Sequence, residues 1–187
     1  HTLEINGERI KAEKIIIAAG SRPIIPGSWN ELREHLITTD EFFEMQELPE
    51  TMAIIGLGVI GTELGQAISR LGVQTVGVTR GKGLGGVTDA EIQNYVAEKL
   101  SEEMPLHFNE ATPIEITKNG RLKIKADDKF YEVDKVLMAV GRKHNLDRLG
   151  IGKLGIELNN RGIPQFDPNT LMLSEMPHIF LPGDVNG

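Results

Sequence analysis

Residues 56 to 61 read Gly-Leu-Gly-Val-Ile-Gly, and no other stretch constrains the chain as tightly. The apolar run Met52 to Ile55 before them reads as a strand. Behind them Ile60, Leu64, Ala67, Ile68 and Leu71 recur at helical spacing, which predicts a helix with these residues on one apolar face, stopped at Gly72. Val73 to Val78 supplies a second strand that ends about 20 residues past the loop. Strand, glycine turn, helix and second strand make the βαβ unit in which a glycine-rich loop receives a dinucleotide. Gly56 permits the tight turn, Gly58 removes a side chain where a pyrophosphate approaches the backbone, and Gly61 lets the helix pack on the sheet. Leu57, Val59 and Ile60 complete the expected cradle, in which the first N–H groups of the helix and its dipole face the phosphates. A tight turn with no ligand is the simpler alternative. The helix and second strand in register favour the dinucleotide.

The rest of the chain continues the alternation. Lys14 to Ala18 reads as a short buried strand bounded by Gly20, and Thr39 to Phe43 as a short capped helix closed by Leu48-Pro49. Gly81 to Gly86 reads as a mobile loop. Thr88-Asp89-Ala90-Glu91 is a capping-box sequence, so a second helix should start there, bury Ile92, Val96 and Leu100, and end at Pro105. After Leu106 to Phe108 the apolar period changes to two, through Ile114/Ile116, Asn119-Gly120, Leu122/Ile124 and Tyr131/Val133, which predicts a small antiparallel meander before a strand from Lys135 to Val140. The fold class is therefore α/β: a Rossmann-like dinucleotide-binding domain with a parallel sheet and a small β-meander. The chain opens inside a hairpin turning at Asn6-Gly7 and stops at Gly183-Asp184-Val185-Asn186-Gly187, just after the apolar run Ile179 to Leu181. Both ends are expected to be cuts in a longer protein.

Composition narrows the partners. With 187 residues, 40% hydrophobic and 25% charged, the chain has enough material for one well-buried domain and attached pieces. A net charge of −7 without a basic block argues against nucleic acid or an anionic membrane and for a small-molecule partner. No apolar run reaches the roughly 20 residues that cross a bilayer, and His-Thr-Leu-Glu-Ile is neither a signal nor a transit peptide, so a cytoplasmic setting is expected. The sequence has no Cys, hence no disulfide, thiolate nucleophile or Cys-based zinc site, and its five His lack metal-ligand spacing, so no metal is expected.

The choice between NAD and NADP is set where the second strand ends, because a carboxylate there accepts from the ribose 2′-OH and repels a 2′-phosphate. Here Thr79 and Arg80 stand at that point. A guanidinium can pair with a 2′-phosphate, but a solvated loop arginine is an equal reading, so both cofactors stay open.

Four stretches, in order, resemble the pyridine nucleotide-disulfide oxidoreductases, most closely their dihydrolipoamide dehydrogenase-like members. Ile16-Ile17-Ala18-Ala19-Gly20-Ser21-Arg22-Pro23 resembles the first crossover from flavin domain to nucleotide domain, with Ala19 in place of the usual Thr. Residues 55 to 64 are similar to the nucleotide loop, including the acid, Glu63, two past the last glycine. Met138 to Asn145 resembles the second crossover, with Lys143-His144 in place of the usual variable residue and Pro. Leu181-Pro182-Gly183-Asp184 is similar to the Gly-Asp motif whose carboxylate binds the flavin ribityl chain.

The resemblance implies an NAD(P)-binding domain at residues 24–144, flanked by residues 1–23 and 145–187 of a split FAD domain. It implies that Gly56, Gly58, Gly61 and Gly141 lie near the nicotinamide nucleotide, Glu63 near the flavin–nicotinamide junction, and Gly20 and Asp184 on FAD. Glu63 also reads as an ordinary exposed acid in a first helical turn, and Asp184 as an ordinary turn residue. Gly61 leans towards NAD, since the family's NADP-dependent members often carry Ala there. Family members also use a second glycine-rich loop for FAD, a redox-active Cys pair and a His-Glu pair from an interface domain. None of these is in this sequence, so the chain alone is expected to be inactive. In the intact protein its partners would be the dinucleotide and the remaining FAD and interface domains, within a homodimer. Two functions stay open: part of a FAD-dependent oxidoreductase that moves hydride between NAD(P)H and FAD and acts on a sulfur group, or a non-catalytic nucleotide-sensing module. Within the first, relatives such as soluble pyridine nucleotide transhydrogenase share the same stretches.

Overall fold

The computed structural model describes residues 2–81 and 83–187; His1 and Lys82, the latter inside the loop predicted at 81–86, lie outside the described residues. The chain divides into two compact units, residues 23–141 and residues 1–22 with 142–187.

In chain order, the described part of the second unit opens with a hairpin, β1 (Thr2–Ile5) and β2 (Glu8–Lys11). Its turn residues Asn6 and Gly7 have φ of 52° and 86°, the positive values that a two-residue turn of matching twist requires. Both hairpin faces are exposed. The short strands β3 (Ile15–Ile16) and β4 (Ser21–Pro23) follow. The spacing predicts a buried strand over Lys14 to Ala18. Instead β3 is two residues long and Ile16 is 69% exposed, because among the described residues β3 has a single neighbouring strand, at Ile179–Phe180.

The 23–141 unit then begins with a run of 3₁₀ turns at Gly27–His35, which buries Trp29, and continues into β5 (Leu36–Thr38). Next come the short helix α1 (Thr39–Phe42), β6 (Thr51–Ile55), α2 (Val59–Arg70) and β7 (Gln74–Val78). They lead to α3 (Ala90–Ser101), β8 (Leu106–His107), the meander β9 (Ala111–Ile116), β10 (Leu122–Ala126) and β11 (Lys129–Val133), and finally β12 (Lys135–Met138). The strands β5, β12, β6, β7 and β8, in that spatial order, form a parallel sheet, and the meander forms a separate antiparallel sheet ordered β11-β10-β9. Strand alternation splits the core into two layers. Ala53, Ile55, Val76, Val78, Val136 and Met138 face Trp29 and the meander residues Leu122, Ile124 and Val133. Met52, Ile54 and Leu137 face Ile68 of α2, Leu100 of α3 and Met104. Both sheet faces are covered, the usual condition for a parallel sheet.

The helices follow the apolar spacing only in part. On α2 the buried residues are Gly61, Gly65 and Ile68, while Ile60 is 39% and Leu71 66% exposed. The contact stripe lies one residue round the helix from the expected one, because two glycines let the backbone itself approach the sheet. A Cβ on Gly65 would come within 3.0 Å of the Met104 Cε. On α3 Leu100 is buried and Val96 half-buried, but Ile92 is 52% exposed. The N-cap is Asp89 rather than Thr88, and the Asp89 carboxylate accepts from the Glu91 and Ile92 N–H groups at 3.0 Å each.

The second unit resumes with β13 (Arg142–His144), which pairs with β4, and β14 (Ile179–Phe180), which runs parallel to β3. Its own core gathers Leu146, Ile151, Ile163, Leu173, Leu181 and Val185, with Ile15 and Ile17 packed on it. No helix among the described residues is long and apolar enough to cross a membrane.

Candidate nucleotide-binding site

The sheet order places residues 56–61 at a particular point. β6 has β7, the next strand of the sheet in sequence, on one side and β12, more than fifty residues later, on the other. From β6 the chain winds through β7 to β8 on one side and returns to β12 on the other, so the loop after β6 sits at the carboxyl edge where the strand order reverses. Open α/β sheets take ligands at that crevice. The ladder is closed around it: the Gly56 N–H donates to the Val78 carbonyl and the Ala139 N–H to the Ile55 carbonyl, both at 2.8 Å.

The three glycines differ physically. Gly56 has φ of +92°, and a Cβ there would lie 2.5 Å from the Ala139 carbonyl oxygen. A Cβ on Gly61 would collide with the Gly56 carbonyl and come 3.1 Å from the Ala139 Cβ. Fold alone accounts for both. Gly58 is the exception, with φ −67° and ψ −165°, extended values open to any residue, and nothing within 4 Å of its would-be Cβ. It is also the N-cap of α2, without a side-chain cap, so the leading N–H groups of the helix have no side-chain oxygen from their own cap. Leu57 is fully buried under Gly77, whereas Val59 and Ile60 are exposed beside the helix start.

The loop predicted as mobile at 81–86 is fastened in its described part. Leu84 is fully buried, and the Gly85 N–H lies 3.0 Å from both the Leu57 carbonyl and the Thr62 Oγ1. The Thr62 hydroxyl in turn donates to the Leu57 carbonyl at 2.9 Å. Thr62 is the residue the sequence reading passed over. A hydroxyl one position past the third glycine is the signal that a nearby loop is tied to this turn.

Glu63 is exposed and lines a cleft of about 300 Å³ with Thr39, Asp40, Phe43, Ile60 and Leu64. At the end of β7, Thr79 is half-buried and its N–H donates to the His107 carbonyl at 2.9 Å. Arg80 is exposed and forms an ion pair with Glu110. That pairing is invisible in the sequence, since thirty residues separate the partners. Gly141 has φ of +125° and its carbonyl accepts from the Ile24 N–H at 3.0 Å, so it serves the crossing of the chain by backbone shape.

Gly20 and Asp184 lie in the other unit, where they come close. The Asp184 carboxylate accepts from the Ser21 hydroxyl at 3.3 Å, and Ser21 Oγ also accepts from Arg142 Nε at 2.8 Å. The Gly20 carbonyl accepts from the Asn145 N–H at 3.0 Å. Arg22 grips Asp147 through its two terminal guanidinium nitrogens, at 3.0 and 2.6 Å. The Arg22 and Lys143 hydrogen bonds hold the Asp147 carboxyl far below the usual carboxylate range. His144 is buried, with Nε2 2.5 Å from the Arg161 carbonyl.

Comparison with known proteins decides the family. The whole chain, residues 1–187, matches the family model described as pyridine nucleotide-disulphide oxidoreductase. The chain belongs to this family. Members of the family are flavoproteins that use FAD and NAD(P). Among curated proteins the chain is similar to a glutathione reductase of Nostoc sp., 33% identical over 99% of this chain and 42% of that protein. It is also similar to a dihydrolipoyl dehydrogenase of Bacillus subtilis, 31% identical over 91% of this chain and 37% of that protein. Among solved structures, the HOCl-induced flavoprotein disulfide reductase RclA of Escherichia coli superposes with a TM-score of 0.86 at 24% identity, covering 100% of this chain and 43% of that one. That likeness bears on fold, and it agrees with the Rossmann-like α/β class read from the sequence. The chain spans roughly two fifths of the length of these family members.

Proposed function

We propose that this chain binds a nicotinamide dinucleotide at Gly56, Leu57, Gly58, Val59, Ile60 and Gly61, and that it serves as the NAD(P)H-binding part of a FAD-dependent disulfide oxidoreductase related to dihydrolipoamide dehydrogenase. The observation that carries the reading is Gly58. Its backbone angles suit any residue and nothing crowds its missing side chain, so the fold does not need a glycine there. An anion drawn to the uncapped start of α2 does, because a Cβ would occupy the space through which phosphate oxygens reach the N–H groups. The cradle fits a pyrophosphate.

Residues around the loop divide the remaining work. The turn at Gly56 and the Thr62 hydroxyl hold the loop in shape before a ligand arrives, which lowers the ordering cost of binding. Thr79 and Arg80 would meet the adenosine ribose, and Gly141 would pass close to the nicotinamide end. Exposed Glu63 would stand at the meeting of nicotinamide and flavin. In the intact protein residues 24–144 form the NAD(P) domain, and residues 1–23 and 145–187 contribute Gly20 and Asp184 to FAD. When bound, the nicotinamide and flavin supply hydride transfer, and the protein orients them. A disulfide step needs thiols, and this sequence has no Cys, so turnover of a sulfur substrate falls to residues outside these 187, in a homodimeric whole.

Calorimetric titration of the chain with NADH, in wild type and in Gly58→Val, tests the reading. Binding by the wild type and its loss in a variant with an unchanged circular dichroism spectrum are expected. Equal affinity in the two proteins removes the loop from the argument.

A further inference from the structure

The carboxylate that normally guards the ribose is missing from the end of β7, where Thr79 stands. Resting on the nucleotide reading of residues 56–61, we propose that Glu110, reaching across from the loop after β8, takes that place and selects NADH over NADPH by occupying Arg80.

The geometry begins with the backbone. The Thr79 N–H donates to the His107 carbonyl at 2.9 Å, and the Gly81 N–H reaches the Phe108 carbonyl at 3.5 Å, so the segments leaving β7 and β8 continue side by side. Glu110 lies two residues past that second contact and its carboxylate pairs with the Arg80 guanidinium. Buried groups fix the loop that carries it. His107 is buried, with Nδ1 2.7 Å from the Asp127 carboxylate and Nε2 2.7 Å from the Tyr131 hydroxyl. The Asn109 amide donates to the other Asp127 oxygen at 2.5 Å. On the far side, Ala111 enters the meander opposite Ala126. Anchors at 107, 109 and 111 leave the side chain of Glu110 as the loop's free projection towards Arg80.

Charge then decides between cofactors. A guanidinium alone would attract a 2′-phosphate, but here a carboxylate already occupies it, and an incoming phosphate meets like charge. A 2′-hydroxyl carries no charge and meets no such repulsion, and an amide in place of the carboxylate can still accept from it. The third strand's loop thereby supplies the acid that the second strand lacks, a difference no reading of the motif position alone would find.

The test titrates NADH and NADPH into the full chain as wild type, Glu110→Gln, Arg80→Ala and the double variant, at low and high salt. Wild type should favour NADH. Glu110→Gln should tighten NADPH roughly tenfold at low salt with NADH changed less than about twofold, and the gain should shrink at high salt. In the Arg80→Ala background the gain should fall below about threefold, because the cation that Glu110 masks is gone. NADH binding by every variant with an unchanged NADPH-to-NADH ratio in Glu110→Gln overturns the role of Glu110 alone. An undiminished gain without Arg80 overturns its action through the ion pair. Failure of wild type to bind either nucleotide overturns the reading of residues 56–61, and this proposal with it.

Discussion

Gly56 and Gly58 are two residues apart and answer to different demands. At Gly56 a side chain meets both a left-handed backbone and the Ala139 carbonyl, 2.5 Å from the would-be Cβ. Gly56→Ala should therefore cost roughly 1–3 kcal/mol from backbone strain alone, with the collision in addition, and urea denaturation would measure it. Gly58→Val should leave the urea midpoint nearly unchanged, since its angles are ordinary and its Cβ is free. A matching loss of stability in both variants would mean that Gly58 is structural and would weaken its assignment to phosphate. The spacing of glycines does not separate these cases. Residues 81–86 repeat the same GxGxxG spacing, yet their described part forms only a 3₁₀ turn at Leu84–Gly86, and α3 starts only after Asp89. What distinguishes residues 56–61 is the helix they cap and the strand they close.

Elements were legible where one face of a periodic pattern meets one neighbour. β6 and β12 are near-continuous apolar runs, β7 carries Val76 and Val78, and all three lie in the sheet within two residues of the expected bounds. The meander follows from its period of two and from Asn119-Gly120. The buried face of α2 was legible only in part: Ile68 and half-buried Leu64 meet the core as expected, but Gly61 and Gly65 carry no apolar signal and hide beside the louder Ile60 and Leu71, which stay exposed. Long-range polar ties were also invisible. Asp134 accepts from the Thr51 N–H and Oγ at 2.9 and 2.7 Å and from Arg121 Nε at 2.9 Å, joining the meander to the start of β6. Partial burial opposes the charge on Asp134, but the Thr51 and Arg121 contacts outweigh it and lower the carboxyl pKa. A lowered pKa means that this stabilisation is complete above the unfolded value, near 3.9, and is lost as pH falls through the folded one. Asp134→Asn should therefore lower stability by roughly 1–3 kcal/mol from pH 8 to 5, and the gap to wild type should close below about pH 4. Thermal melts across that range would show it. A gap that widens in acid would contradict the sign.

At the scale of the whole molecule, two separate cores imply unequal contributions. The 23–141 unit has a sheet covered on both faces, whereas the hairpin β1–β2 is exposed on both and β3 has a single neighbour. Amides of β6, β7 and β12 should exchange slowest, and those of the hairpin fastest, since opening the hairpin uncovers almost no apolar surface. Flavin follows the same inequality. The proposed FAD contacts in this chain reduce to backbone at Gly20 and the exposed Asp184 carboxylate, which accepts a 3.3 Å bond from Ser21. By comparison, the proposed nicotinamide site has a preset turn, a helix start and a fastened loop within one unit. One carboxylate and a turn cannot offset the freedom a dinucleotide loses on binding. The purified chain, incubated with FAD and then desalted, is expected to be colourless, while the same preparation still binds NADH. Visible absorbance of one flavin per chain after desalting would show that the 1–22 and 142–187 unit holds FAD without further residues, and the division of cofactors between the two units would need to be redrawn.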